Sequence, residues 1–178
     1  MNYSLIQVEH IASVCRIYLN RPEVRNAQDR SLLRELDHAM RAAEADDSVR
    51  VVILGAVGDH FSAGHDLKSA RVERPNPTVE QRWEYEEEHF LEYCLRIHDL
   101  KKPTIAQVQG ACIAGGYMVA NMCDLIVCAD NAFFSDPVAH SMGTASLEVL
   151  IHPWVMGMRR AKELIFTGER LLAQEALQ

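Results

Sequence analysis

The stretch from Pro103 to Asp124 has the residue types that could do chemistry through the backbone, because small residues join a strand-like run to a helix-like run. Glycines such as Gly110, Gly115 and Gly116 let a ligand approach the main chain closely. A strand that turns sharply into an apolar helix leaves N–H groups unpaired at the positive end of the helix dipole. Such amides can hold an oxygen atom that gains negative charge. An ordinary packing turn would have a similar sequence, so this stretch alone leaves both interpretations open.

A second place where backbone amides could be exposed follows an earlier strand. Residues 50–56, RVVILGA, form a continuous apolar run, which is typical of a strand covered on both faces. The next segment, GDHFSAGHDLK at residues 58–68, has the small residues of a loop. The sequence therefore predicts two bends with exposed amides, each of which follows a buried strand.

Hydrophobic periodicity predicts the elements that position these bends. Apolar side chains recur at helical spacing over residues 29–45, and residues 79–100 form a long acidic helix. The acidic side chains Glu84, Glu86, Glu87 and Glu88 predict a solvated helix face. The other predicted elements are a hairpin over 5–8 and 14–19, loops over 20–28 and 71–78, a strand over 104–109, a turn over 110–116, a helix ending near 123, strands over 125–128 and 132–134, an irregular stretch over 136–151, a helix over 158–166 and the start of another helix after Gly168.

Length and composition limit the classes of function. The chain has 178 residues, of which 48% are hydrophobic and 24% charged, so we expect one core and one domain over residues 1–178. A net charge of -7 without a basic run argues against a nucleic-acid partner. The five cysteines form no CxxC pair, which favours reduced thiols and a cytoplasmic location. The eight histidines are scattered, so no metal site is expected, and no apolar run reaches membrane-spanning length.

Four segments, taken in order, resemble the crotonase (enoyl-CoA hydratase/isomerase) superfamily. They are LNRPEVRNA at residues 19–27, FSAGHDLK at 61–68, VQGACIAGGYMVANMCDLIVCAD at 108–130 and GMRRAKELIFTGERLLAQEAL at 157–177. The third segment is the most specific, and the similarity covers essentially the whole chain. It implies an α/β fold built as a crotonase-like ββα superhelix, with the C-terminal helical part truncated or missing here. It also implies a homotrimer or a dimer of trimers.

The resemblance further implies that the substrate is an acyl-coenzyme A thioester, with coenzyme A as part of the substrate and no covalently bound cofactor. In the family, two backbone N–H groups hold the thioester carbonyl oxygen, and the matching positions are His65 and Gly115. Both lie in the bends identified above. They would stabilise the negative charge that builds on this oxygen as an enolate forms. The matching contacts to coenzyme A are Arg25, Ala63, His65, Asp66, Leu67 and Lys68.

Two positions depart from the hydratases of this superfamily, which move protons with two carboxylates. The matching residues here are Met118 and Val138, and neither side chain titrates. The usual two-glutamate hydration mechanism is therefore not open to this chain. Asp136 and His140 are the candidate acid and base nearby, and Glu148 is a further carboxylate. Asp136 could instead cap a turn, and His140 and Glu148 could be polar residues of a surface loop.

Three functions fit these residues. The first is an acyl-CoA-handling lyase or isomerase of the enoyl-CoA hydratase/isomerase type. The second is a non-catalytic acyl-CoA-binding homologue that kept the two amides after losing its carboxylates. The third is a serine hydrolase, because HSMGTAS at residues 140–146 resembles the nucleophile segment of Clp-type proteases, with Ser141 or Ser146 as the nucleophile. The stronger coenzyme A motifs favour the first two.

Overall fold

The structure, a computed structural model, describes residues 2–142 and 148–177. Its larger sheet has five strands, which in spatial order are β1 (Ile6–Ile11), β2 (Val14–Leu19), β3 (Val51–Ala56), β4 (Thr104–Val108) and β6 (Leu125–Cys128). The hairpin strands β1 and β2 are antiparallel, and the other neighbouring strands of this sheet are parallel.

A smaller sheet has three strands, which in spatial order are β5 (Ala111–Ile113), β7 (Phe133–Ser135) and β8 (Leu171–Leu172). The helices are α1 (Arg30–Ala45), α2 (Leu67–Glu73), α3 (Val79–Glu86), α4 (Glu92–His98), α5 (Gly115–Asn121), α6 (Val138–Met142), α7 (Glu148–Met156), α8 (Met158–Thr167) and α9 (Ala173–Ala176). A 3-10 turn covers Pro22–Val24, and a π-helical turn over Glu87–Leu91 joins α3 to α4.

Successive segments of the chain alternate between the two sheets. β4 lies in the larger sheet and β5 in the smaller one, and after α5 the same alternation repeats with β6 and β7. A single backbone bridge between Ser62 and Cys112 adds the segment after β3 to the smaller sheet in the same way. This ββα repeat stacks the two predicted bends next to each other.

The core lies between the larger sheet and the helices, and apolar periodicity accounts for it. On β3, the side chains of Val52 and Leu54 share one face and are 0% exposed, whereas Val51 and Ile53 on the other face are half-buried. The cover expected on both faces is therefore complete on one face only. On α1, Leu32 and Leu36 are buried, and the side chain of Asp29 accepts a hydrogen bond from the Leu32 amide at 2.8 Å. The helix therefore begins where its N-cap residue predicts.

Several predicted segments differ in the structure. Residues 71–78 were expected to be a loop, but they include the last turn of α2. Asp66 caps the N-terminus of this helix by accepting hydrogen bonds from the backbone amides of Lys68 and Ser69. The turn over residues 110–116 contains β5, because its backbone pairs with β7 in the smaller sheet. The irregular stretch over 136–151 holds α6 and the first residues of α7, in spite of Pro153 inside α7.

The helix expected to open at Leu171 begins only at Ala173, because Leu171 and Leu172 form β8 through pairing with β7. The remaining predicted elements are confirmed. The hairpin, the strands corresponding to β3, β4, β6 and β7, and the helices corresponding to α1, α5 and α8 lie within a few residues of their predicted bounds. Gly168 ends α8 in the left-handed conformation expected of a C-terminal glycine, with φ of 65°. Among the described residues, no helix has both the length and the apolar character needed to cross a membrane.

Candidate active site

A buried asparagine holds the first bend in place. Asn26 is 0% exposed, and its backbone is left-handed, with φ of 52°. Its Nδ2 donates to the carbonyl oxygens of Val57 and His60 at 3.0 and 2.9 Å. Its Oδ1 accepts from the Arg21 amide at 2.8 Å. The loop before α1 is therefore tied to the segment after β3, which fixes the backbone leading to His65.

The parallel bridge between Ser62 and Cys112 sets the two bends in register. Three residues beyond this bridge, the chain reaches His65 on one segment and Gly115 on the other. A β-carbon placed on Gly64 would lie only 3.1 Å from the Gly115 nitrogen. The two bends predicted from the sequence are therefore in direct contact.

The backbone amides of His65 and Gly115 have no acceptor among the residues that the structure describes. A second parallel bridge pairs Gln28 with His65, and it uses the backbone groups on either side of His65. The backbone N–H of Gln28 donates to the Gly64 carbonyl oxygen at 2.7 Å, and the backbone carbonyl of Gln28 accepts from the Asp66 N–H at 2.9 Å. In such a bridge Gln28 bonds to the residues before and after His65, and not to His65 itself. The backbone N–H of His65 therefore points away from Gln28.

The His65 side chain lies against Gly115. Its Nε2 is 3.1 Å from Oε2 of Glu86, and its ring stacks on Phe90 with a centroid distance of 3.6 Å and an interplanar angle of 13°. A β-carbon on Gly115 would lie 2.9 Å from Nδ1 of His65. The side chains of His65 and Glu86 are 25% and 31% exposed, so this pair can be reached from solvent.

Gln28 packs against the same glycine. Its side chain is almost fully buried, and neither Nε2 nor Oε1 has a hydrogen-bond partner among the described residues. A β-carbon on Gly115 would lie 2.9 Å from Oε1 of Gln28. An unpaired buried amide reduces stability by about 1 to 3 kcal/mol. The unpaired side-chain amide of Gln28 thus lies beside the bend that contains Gly115.

A buried polar cluster lies between α5 and α7. Oδ2 of Asp136 is 2.7 Å from Nε2 of His152, and these side chains are 2% and 0% exposed. The Nδ1 atom of His152 is 3.3 Å from Nδ2 of Asn121, and the Tyr117 ring lies 5.0 Å from the His152 ring. Burial raises the pKa of Tyr117 far above its usual value, outweighing its hydrogen bond with Asn121.

The two residues predicted as acid and base contact different parts of the fold. Oδ1 of Asp136 accepts from the Val138 amide at 3.2 Å, which is the turn-capping contact that the sequence left open. His140 is exposed, and its Nε2 is 2.9 Å from the Phe166 carbonyl oxygen at the end of α8. Met118 is 1% exposed. The side chain of Glu148 lies outside the part of the chain described here.

The residues expected to contact coenzyme A surround the first bend. Arg25 lines an open cleft of about 280 Å³. The Ala63 amide donates to the Arg25 carbonyl at 2.9 Å. Leu67 is 59% exposed, and Lys68 is also exposed. These positions are accessible to a ligand, and their contacts to coenzyme A stay a prediction.

Asp66, the remaining residue of that set, has a structural role as well. It caps α2, and its Oδ2 lies 3.0 Å from the Arg21 guanidinium. Burial alone would raise its pKa, but the hydrogen bonds from Ser69 and Arg21 outweigh burial, so its pKa is lower than usual. Asp66 therefore holds the backbone on the far side of His65.

Sequence reasoning missed several members of these clusters. Glu86 was interpreted as part of a solvated face, although it contacts His65, 21 residues away. Gln28 was not singled out, and neither was His152, which lies 16 residues from Asp136. No periodicity could have found these residues, because each contact joins different elements of the fold.

Among the described residues, Ser141 has no histidine partner that could make it the nucleophile of a serine hydrolase. The Ser141 hydroxyl lies 3.5 Å from the Val138 carbonyl within α6, and it contacts no histidine among the described residues. Ser146 lies outside the described residues. The geometry therefore does not favour this function over acyl-CoA chemistry.

Comparisons of sequence and fold with known proteins show the family of this chain. A sequence model of the enoyl-CoA hydratase/isomerase family matches residues 9–178. The chain is 44% identical over 180 residues to a putative enoyl-CoA hydratase, EchA13, of Mycobacterium tuberculosis, covering 92% of this chain and 57% of that protein. It is 33% identical over 175 residues to 4-chlorobenzoyl coenzyme A dehalogenase-2 of an Arthrobacter species, covering 97% of this chain and 63% of that protein.

Solved structures agree. The crystal structure of a probable enoyl-CoA hydratase from Mycobacterium smegmatis superposes with a TM-score of 0.90 at 46% identity, covering 98% of this chain and 68% of that one. The chain thus spans 57% and 63% of the length of the two curated relatives. From the family match, the two relatives and the shared fold, we conclude that this chain belongs to the enoyl-CoA hydratase/isomerase family of the crotonase superfamily.

Proposed function

We propose that the chain binds an acyl-CoA thioester and stabilises its enolate with the backbone N–H groups of His65 and Gly115. The observation that carries this proposal is the contact between the two bends, where both amides lack an acceptor among the described residues. Donors that are already in place need no reorganisation when charge develops, so a single one is commonly worth 10²- to 10³-fold in rate.

The substrate class follows from family membership and from the dehalogenase relative, whose name specifies an acyl-coenzyme A. Arg25 and Lys68 are exposed on either side of the first bend, where they could meet coenzyme A phosphates. Coenzyme A would then enter as part of the substrate. A homotrimer or a dimer of trimers belongs to the same proposal by analogy with the family, and a cytoplasmic location belongs to it because the cysteine pattern favours reduced thiols.

The replacement of two carboxylates by Met118 and Val138 favours chemistry other than two-glutamate hydration. Proton removal from the α-carbon, as in an isomerisation, needs one acid–base group and the two amides. The candidate acid and base from the sequence, Asp136 and His140, stay predictions. The same replacement is also consistent with a second function, in which the chain binds acyl-CoA without catalysing a reaction.

The test measures binding and enolate formation separately. Butyryl-CoA binding is followed by calorimetry, and exchange of its α-protons in D₂O is followed by NMR, with a no-protein control. We expect binding together with exchange above the uncatalysed rate. Binding without exchange or turnover of any enoyl-CoA would support the non-catalytic binder instead, and the lack of both would overturn the proposal.

A further inference from the structure

We propose that the His65 side chain is the proton-transfer group of this site and that Glu86 positions its ring. This inference rests on the proposed function, because it assigns the acid–base group that enolate chemistry requires. Its basis is the geometry of the side chains around Gly115. Neither residue was considered for this role on the basis of sequence.

The contact with Glu86 determines which ring nitrogen is available. Nε2 of His65 lies 3.1 Å from the Glu86 carboxylate, so in the neutral ring the proton is on Nε2, where it donates to Oε2. The lone pair is then on Nδ1. This atom has no hydrogen-bond partner among the described residues, and it lies on the side of the ring that faces Gly115. A histidine oriented by a carboxylate in this way is a common general base.

Stacking fixes the plane of the ring. Phe90 is 0% exposed and lies parallel to His65 at 3.6 Å. Phe90 belongs to the π-helical turn Glu87–Leu91, directly after Glu86 at the end of α3. Such turns reorient side chains within a helix and occur frequently at functional sites. One short segment thus supplies both contacts that hold the ring.

The other two described candidates do not combine these features. Asp136 is 2% exposed and is engaged with His152 and with the Val138 amide, so a ligand cannot touch it without breaking buried contacts. His140 packs against Gly168, its Nε2 contacts the Phe166 carbonyl oxygen, and it is not among the side chains nearest Gly115. His65 combines partial exposure, a free ring nitrogen and contact with Gly115.

The proposed step is a proton transfer without any co-reactant. Nδ1 of His65 takes the α-proton of the acyl group, and the electron pair of the broken C–H bond forms the carbon–carbon double bond of the enolate. The carbonyl electron pair moves onto the oxygen, next to the amides of His65 and Gly115. The imidazolium, stabilised by Glu86, then returns the proton to the α-carbon or to the γ-carbon of an unsaturated chain.

His65→Gln tests this step, because glutamine keeps the backbone N–H and a donor for Glu86 but has no basic nitrogen. We expect α-proton exchange of butyryl-CoA to fall about 10²-fold or more, with its affinity changed less than threefold. In His65→Ala, added imidazole should restore part of the exchange rate. A purely structural role for His65 would give no such rescue.

Glu86→Gln tests the positioning role, with Glu87→Gln as a matched control, since Glu87 is an exposed neighbour on the same segment. We expect exchange to fall about 10-fold or more in Glu86→Gln and to stay unchanged in Glu87→Gln. Full exchange in His65→Gln, or a fall in His65→Ala that imidazole does not reverse, would overturn this inference alone. No exchange in the unsubstituted protein would instead overturn the proposed function.

Discussion

A β-carbon placed on Gly115 would lie 2.9 Å from Nδ1 of His65, so the glycine and the imidazole ring occupy adjoining space. One titratable side chain therefore lies where the two bends touch. The same imaginary β-carbon would lie 2.9 Å from Oε1 of Gln28 and 3.1 Å from Cε1 of Phe90. Glycine is the residue that fits this enclosed position.

Gly115→Ala should damage the site while leaving the amide in place. The added methyl group must push away Gln28, His65 or Phe90, and a displacement of about 1 Å can reduce a rate about 10²-fold. We expect α-proton exchange of butyryl-CoA to fall by about that factor and the free energy of unfolding to fall by about 1 to 3 kcal/mol. Urea denaturation and NMR measure the two effects. Free coenzyme A, which has no thioester carbonyl, should bind as before, and unchanged exchange would contradict the prediction.

Gln28→Met should stabilise the protein. Methionine has a similar length and removes the two polar atoms that lack partners in the described structure. We expect the free energy of unfolding to rise by about 1 kcal/mol or more, measured by urea denaturation. Gln107→Met, at an exposed position on β4, is the control and should change it by less than about 0.5 kcal/mol. A lower free energy of unfolding in Gln28→Met would mean that the side-chain amide of Gln28 is hydrogen bonded in solution.

Asp136→Ala should destabilise the fold strongly. The substitution removes the buried partner of His152 and the acceptor of the Val138 amide. Leaving a buried polar group without its partner reduces the free energy of unfolding by about 1 to 3 kcal/mol, and by more where the lost group is charged. Asp130→Ala, at an exposed carboxylate, should change it by less than about 0.5 kcal/mol. Equal stabilities in chemical denaturation would show that the pair does not hold α7 to the site.

Asp66→Asn should reveal a pH-dependent contribution to stability. The pKa of Asp66 in the folded protein is lower than its unfolded value of 3.8, so its charge stabilises the fold above that pH. This contribution is lost as the pH falls through the lower, folded value. We expect the variant to be less stable than the unsubstituted protein by about 1 to 3 kcal/mol at pH 7, with the difference shrinking toward pH 3. A difference that does not depend on pH in denaturant titrations would contradict the prediction.

Local sequence patterns predicted most of the elements because they report which side of a segment is buried. The helical spacing over residues 29–45 corresponds to α1, and the apolar run over residues 50–56 corresponds to β3. The same reasoning failed for β5, because a three-residue strand shows no period and forms only through pairing with β7. It also failed for Glu86, whose acidic neighbours are indeed mostly exposed.

The sequence by itself determined the family and predicted the two bends at His65 and Gly115, because these depend on residue identity and local order. That Met118 and Val138 stand where related hydratases have carboxylates stays a prediction. Only the tertiary structure decided that the bends touch, that Glu86 lies 3.1 Å from His65 and that Asp136 is held by His152. Those contacts join residues far apart in the chain. They depend on how strands register and helices pack, and a one-dimensional pattern does not contain that information.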